Sequence, residues 1–145
     1  MKEGGLVSTL GTEPQVVTLC LHALTLQGES ICKAVALHSR GQDPKIRSAV
    51  RSLRTKWGEL PFPSAVDLEL VEVPIQDLDS EAALRVAYRT IREVIAGIKG
   101  EGLRVHLNIS GGRKPLALCA MVAAQVFGHG RRNGPGTKVL LSRSS

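Results

Sequence analysis

The chain has 145 residues and a mass of 15.5 kDa, the length of one ordinary domain. Apolar residues make up 43% and charged residues 22%, which excludes compositional disorder, and an aromatic share of 3% excludes a stacking platform for single-stranded nucleic acid. Nineteen Lys and Arg against thirteen Asp and Glu give a net charge of +6. That surplus favours anionic partners without naming them, and twelve of the nineteen are Arg, the better fork for phosphate oxygens.

In chain order, residues 5–10 form a short apolar strand, and residues 14–26 read as a helix apolar on nearly every side, packed on a sheet and against a neighbour. Residues 31–38 (ICKAVALH) have the β-branched, alternating character of a second strand. A helix over 44–57 places Ile46, Ala49, Val50, Leu53 and Trp57 on one stripe. Residues 66–73 (VDLELVEV) form the third strand. From 80 to 98, Leu84, Ala87, Tyr88, Ile91, Ile95 and Ile98 follow the helical period, with Asp79 or Ser80 as N-cap. Residues 103–109 (LRVHLNI) alternate strictly, a helix over 114–127 stops at Gly128, and 137–142 is a final strand.

Strict β-α alternation implies an α/β fold: a doubly wound, Rossmann-like parallel five-stranded sheet, helices on both faces, as a single domain over 1–145. Cys20, Cys32 and Cys119 are odd in number, lack C-x-x-C spacing and sit in apolar runs, so they are expected to be buried free thiols in a reducing compartment. No signal or transit segment opens the chain, and its longest apolar run, 115–124, is too short to cross a bilayer. The expectation is a cytoplasmic protein with no membrane partner.

With strand order 3-2-1-4-5, the ligand crevice lies at the carboxyl ends of strands one and four. Leu10-Gly11-Thr12-Glu13-Pro14-Gln15 follows strand one, and Asn108-Ile109-Ser110-Gly111-Gly112-Arg113-Lys114-Pro115 follows strand four. Each loop combines glycine for close backbone approach, a hydroxyl, and a helix start whose N–H groups favour an anion. Thr12-x-x-Gln15 also fits a capping box, so Thr12 has a purely structural reading, and Ser110-Gly111-Gly112 has one as a tight turn. Arg113 and Lys114 oppose the helix macrodipole and so call for a negative charge nearby.

Other motifs fail. The second loop lacks the P-loop pattern, the first lacks G-x-G-x-x-G, and the scattered His and Cys have no metal-ligand spacing. His38 is the one histidine placed near the crevice, while His22 and His106 read as structural. The stripes Arg47-Arg51-Arg54 and Arg85-Arg89-Arg92 read as solvated faces, the second paired with Glu81 and Glu93, and no recognition helix for sequence-specific nucleic acid accompanies them. The basic segment 128–134 falls at the opposite end of the sheet.

The segments Thr9-Leu10-Gly11-Thr12-Glu13-Pro14-Gln15-Val16-Val17 and Leu107-Asn108-Ile109-Ser110-Gly111-Gly112-Arg113-Lys114 resemble the CRISPR-associated Rossmann-fold (CARF) family. The resemblance implies a homodimer that binds a cyclic oligoadenylate, most readily cyclic tetra-adenylate, across its axis. Relatives carry a nuclease, protease or DNA-binding domain after this fold. None is read after Ser145, and the stand-alone form resembles the ring nucleases, which cleave the messenger and switch off the response.

On that resemblance the substrate's own 2′-OH attacks the adjacent phosphorus without metal or cofactor, giving a 2′,3′-cyclic phosphate. Lys114 stabilises the developing charge or the leaving oxygen, and Thr12 orients the 2′-OH or a phosphate. Gly11, Glu13, Ser110, Gly111, Gly112, Arg113 and Ser39 complete the ligand-binding set. The competing expectations are a non-cleaving messenger sensor that acts through a separate partner, an unrelated nucleotide-phosphate-binding α/β protein, and a basic nucleic-acid-binding protein with steep salt dependence.

Overall fold

The structure is a computed structural model that describes residues 3–40, 43–59, 66–73, 80–112, 114–129 and 137–140. The elements run β1 (Glu3–Thr9), α1 (Gln15–Leu26), β2 (Ser30–Ser39), α2 (Pro44–Lys56), a 3₁₀ turn (Trp57–Glu59), β3 (Asp67–Val73), α3 (Glu81–Gly100), β4 (Arg104–Asn108), α4 (Lys114–His129) and β5 (Thr137–Leu140). All pairings are parallel, in the order β3-β2-β1-β4-β5. Register carries Thr9 to Leu37 of β2 on one side and Ser8 to Asn108 of β4 on the other. The carboxyl ends of β1 and β4 therefore lie side by side.

Side chains alternate between two apolar layers, as a sheet covered on both faces requires. On one face Val7, Val35, Leu37, Val105 and Leu107 pack with Ala87, Ile91, Ile95 and Ile98 of α3 and with α4. On the other, Leu6, Leu10, Ala34 and Ala36 pack with Val17, Leu21 and Leu24 of α1 and Leu53 of α2. Full burial of each large aliphatic contributes about 1.5–3 kcal/mol relative to exposure. Although β4 alternates apolar and polar residues, its polar positions His106 and Asn108 are buried too. His106 is 1% exposed with Nε2 3.6 Å from the Glu29 carboxylate, a structural placement, and Asn108 is 1% exposed.

Local signals set the helix ends. Asp43 caps α2 by accepting from the Lys45 N–H at 2.9 Å, and Ser80 caps α3 by accepting from the Ala83 N–H at 3.1 Å. Asp79, the other candidate cap, lies outside the described residues. At the far ends the chain turns left-handed at Gly28 (φ 86) and Gly102 (φ 80), where Glu29 donates to the Leu24 carbonyl and Leu103 to the Ile98 carbonyl. Gly128 does not stop α4, which runs to His129; a glycine inside a helix costs only about 1 kcal/mol relative to alanine. Residues 130–134 of the basic segment lie outside the described residues. Past α2, Nε1 of half-buried Trp57 donates to the Val66 carbonyl at 2.7 Å and ties the helix end to the start of β3.

Three expectations are corrected by burial. α1 is not packed all round: Val17, Leu21 and Leu24 face the sheet, but Leu19 is 63% and Leu26 74% exposed, and His22 lies exposed beside them. In α3, Leu84 falls on the exposed edge of the stripe. Only Cys119 is buried among the free thiols; Cys20 and Cys32 are half-buried. Desolvation raises all three above the usual thiol range, Cys20 to about 11. Among the described residues, no helix is long and apolar enough to cross a membrane.

Candidate functional site

The two loops meet as the topology requires, and they meet closely. A Cβ on Gly11 would stand 2.8 Å from the backbone nitrogen of Gly112, and one on Gly111 would stand 2.4 Å from the Thr9 carbonyl oxygen. Gly112 adopts φ +77. These glycines are therefore needed first for the loops to approach each other, in line with the tight-turn reading of Ser110-Gly111-Gly112, before any approach of a ligand.

A buried polar network fastens the same place. Thr9 Oγ1 donates to the Gly111 carbonyl, and Asn108 Nδ2 donates to Ser8 Oγ at 3.2 Å. Asn108 Oδ1 accepts from the Ser110 N–H at 3.2 Å and from Ser110 Oγ at 2.7 Å. The Ser110 hydroxyl, expected to donate to a ligand, thus spends its proton on Asn108 and keeps only acceptor capacity. Ser8, Thr9 and Asn108 were missed as organisers of the site. The available signal was three polar residues at the ends of two strands that must both be buried.

Thr12 does not cap α1. The N-cap position is Pro14, with no side-chain cap, and Thr12 is exposed. The Val16 and Val17 N–H groups turn inward onto the carbonyls of Glu13 and Pro14, both at 3.2 Å. The start of α1 is therefore a weaker anion site than its sequence suggests. Thr12, Glu13 and Pro14 instead form one wall of a groove of about 550 Å³. Its other wall is α2, through Pro44, Lys45, Ser48, Ala49 and Ser52, none of which the sequence reading chose.

Ser39 ends β2 and lines a separate groove with His38, Arg47, Arg51, Arg54 and Glu72, so the structure does not bring it to the strand-one groove. Lys114 is the first residue of α4, directly after the strand-four loop, and Arg113 lies outside the described residues. Arg85 pairs with Glu81 at 2.9 Å on the exposed face of α3. Among the described residues there is no group of three His, Cys, Asp or Glu placed to hold a metal ion.

The two loops thus join at the carboxyl ends of β1 and β4, beside a groove lined by Thr12, Ser48 and Ser52. Residues 13–132 match the family described as CRISPR-associated protein NE0113. The chain belongs to that family. It is also similar to the CRISPR system ring nuclease SSO2081 of Saccharolobus solfataricus, 33% identical over 121 residues, which is 83% of this chain and 64% of that relative. The chain thus spans less than two thirds of the length of the curated relative it matches. It is a CRISPR-associated, ring-nuclease-like protein, as the resemblance of its two loops implied.

Proposed function

We propose that this protein binds a cyclic oligoadenylate, cyclic tetra-adenylate first among them, and opens the ring at a phosphodiester without a metal ion. The single observation that carries this reading is the closure of the strand-one loop onto the strand-four loop in a chain 33% identical to a ring nuclease. In support, Thr12 and Lys114 belong to the segments that follow β1 and β4, whose carboxyl ends are neighbours in the sheet.

The substrate's 2′-hydroxyl oxygen gives its proton to water as it attacks the adjacent phosphorus, the bond from phosphorus to the 5′-oxygen breaks, and the 5′-oxygen takes up a proton, so that a 2′,3′-cyclic phosphate and a 5′-hydroxyl result. The protein's share is alignment of the attacking and leaving oxygens and stabilisation of the developing charge. Thr12 positions the 2′-hydroxyl or a neighbouring phosphate oxygen. Lys114 places its cation at the phosphorane charge or protonates the departing 5′-oxygen, and Arg113 anchors a second phosphate. Ser39, in its own groove, is assigned to an outlying part of the ring.

A cyclic ligand with two-fold symmetry suits a homodimer, which doubles every loop around one axis. Exposed Leu118 (61%) and Val122 (49%) support this, because they lie on α4 within two to three turns of the strand-four loop. A copy seated on that face brings the two sites together in a cytoplasmic dimer.

The test is incubation of the protein with labelled cyclic tetra-adenylate in EDTA, with Lys114→Ala alongside. Linear products ending in 2′,3′-cyclic phosphate, lost in the variant while binding persists, are expected. Intact, bound messenger would establish the second reading, a sensor without chemistry. One observation favours that reading: Glu13 is the only carboxylate in either loop, and it is already tied to Gln15 Nε2.

A further inference from the structure

We infer that the groove between the strand-one loop and α2 is a slot for one purine base of the ligand, and that Glu13, Ser48 and Ser52 read the base while Lys45 meets its phosphate. This rests on the messenger-binding reading above and adds residues of α2 to it. The groove's volume of about 550 Å³ lies within the range of small-ligand pockets and has room for a nucleotide.

The chemistry of the lining selects the occupant. Pro14 and Pro44 supply flat apolar walls and Ala49, 3% exposed, supplies the floor. Ser48 and Ser52 stand one helical turn apart, so both hydroxyls rise on the same face of α2. Small residues there are what opens the groove, since α2 otherwise carries long cationic side chains. Glu13 is the acceptor. One of its oxygens accepts a hydrogen bond from Gln15 Nε2, and the carboxylate retains further lone pairs for the 6-amino group of adenine.

A phosphate at the same place has a different partner. The first N–H groups of α2 are already committed, Lys45 to the Asp43 side chain and Ile46 and Arg47 to the Asp43 carbonyl. The helix end therefore offers an anion little through its backbone. The Lys45 ammonium, exposed on the groove wall, is the cation that reaches a phosphate attached to a base in the slot. Thr12 lies on the opposite wall, so the slot leads directly from the proposed reacting centre.

The experiment is a binding cycle by calorimetry with two ligands, cyclic tetra-adenylate and its analogue with 6-amino groups replaced by hydrogen. The native chain is expected to bind the analogue about tenfold more weakly, the loss of one hydrogen bond to the charged Glu13 carboxylate. Glu13→Ala is expected to bind both ligands equally. Lys45→Ala weakens both by the same factor, and Ser48→Trp, which fills the slot from an exposed position, weakens the parent ligand at least tenfold. Circular dichroism on Ser48→Trp separates a filled slot from a lost fold, and the Glu13 cycle decides the matter if that variant does not fold. Native binding with unchanged affinity in a folded Ser48→Trp and an unaltered tenfold preference in Glu13→Ala would place the base elsewhere and overturn the slot while leaving the messenger reading intact. Absence of native binding would overturn both.

Discussion

Asn108 sits where two chain segments a hundred residues apart are joined, and its side chain is the joint. Itself 1% exposed, it bonds buried Ser8 on the neighbouring strand and half-buried Ser110 in its own loop. Asn108→Ala leaves these partners unsatisfied and is expected to cost about 1–3 kcal/mol, read from urea unfolding. Gly111→Ala forces a Cβ onto the Thr9 carbonyl oxygen, and backbone must move; a loss of about 1–3 kcal/mol is expected, with messenger affinity falling alongside. Gly112→Val is a poorer probe of ligand approach than its sequence suggests, because φ +77 strains any side chain there. Cys20 carries the chemistry of burial: with its pKa near 11, the thiol stays protonated at pH 8, and alkylation is expected to be at least tenfold slower than in the unfolded chain. Since the folded value is raised, the thiol favours folding fully below the unfolded value near 9, and that contribution is lost as pH rises through about 11.

Among the elements, α2 has the least self-sufficient sequence. Lys45, Arg47, Arg51, Arg54 and Lys56 face no acid within the helix, and Asp43 at its cap is the nearest negative charge in sequence. Asp43→Ala is expected to cost about 1 kcal/mol and Ser80→Ala a similar amount in α3, measured as shifts in the urea midpoint. Arg51→Glu creates opposite-charge spacings with Arg47 and Arg54 and is expected to stabilise the helix by about 0.3–0.5 kcal/mol per pair. The same change slows association with an anionic ligand at low salt. This helix also shows where the sequence was legible. Ile46, Ala49 and Leu53 are buried as their period requires, since helical spacing alone decides which residues share a face. That Ser48 and Ser52 line a groove depends on what lies opposite, and only the packing of α2 beside the strand-one loop supplies it. The Thr12 capping pattern failed for a related reason: Pro14 holds the cap position, so the helix begins two residues too late for that box. Asn108 was equally hidden, because its partner Ser8 is set by strand register and not by local spacing.

At the scale of the molecule both faces of the sheet are covered, and among the described residues large apolar side chains stay exposed on α1 (Leu19, Leu26), α3 (Leu84, Val86) and α4 (Leu118, Val122). The α4 stripe continues from the strand-four loop, so it is the one whose loss should dissolve the site. The double variant Leu118→Glu, Val122→Glu is expected to sediment as a monomer, keep its circular dichroism spectrum and lose messenger binding. A monomeric native chain would remove the symmetric arrangement. Net charge of +6 adds a long-range attraction for any polyanion, so messenger affinity is expected to fall as ionic strength rises from 50 to about 200 mM. Plain RNA should be more salt-sensitive still, since its binding lacks the base slot and rests on charge alone.

The chain holds one tryptophan, and Trp57 stands where α2 passes into β3, half-buried and bonded to Val66. The molecule therefore carries a built-in optical gauge at the far end of the helix that walls the groove. If a ligand entering the slot tightens α2, the indole emission shifts to shorter wavelength; if the helix loosens from its cap, emission moves toward that of indole in water. The same native signal would then follow occupancy and helix melting without any dye.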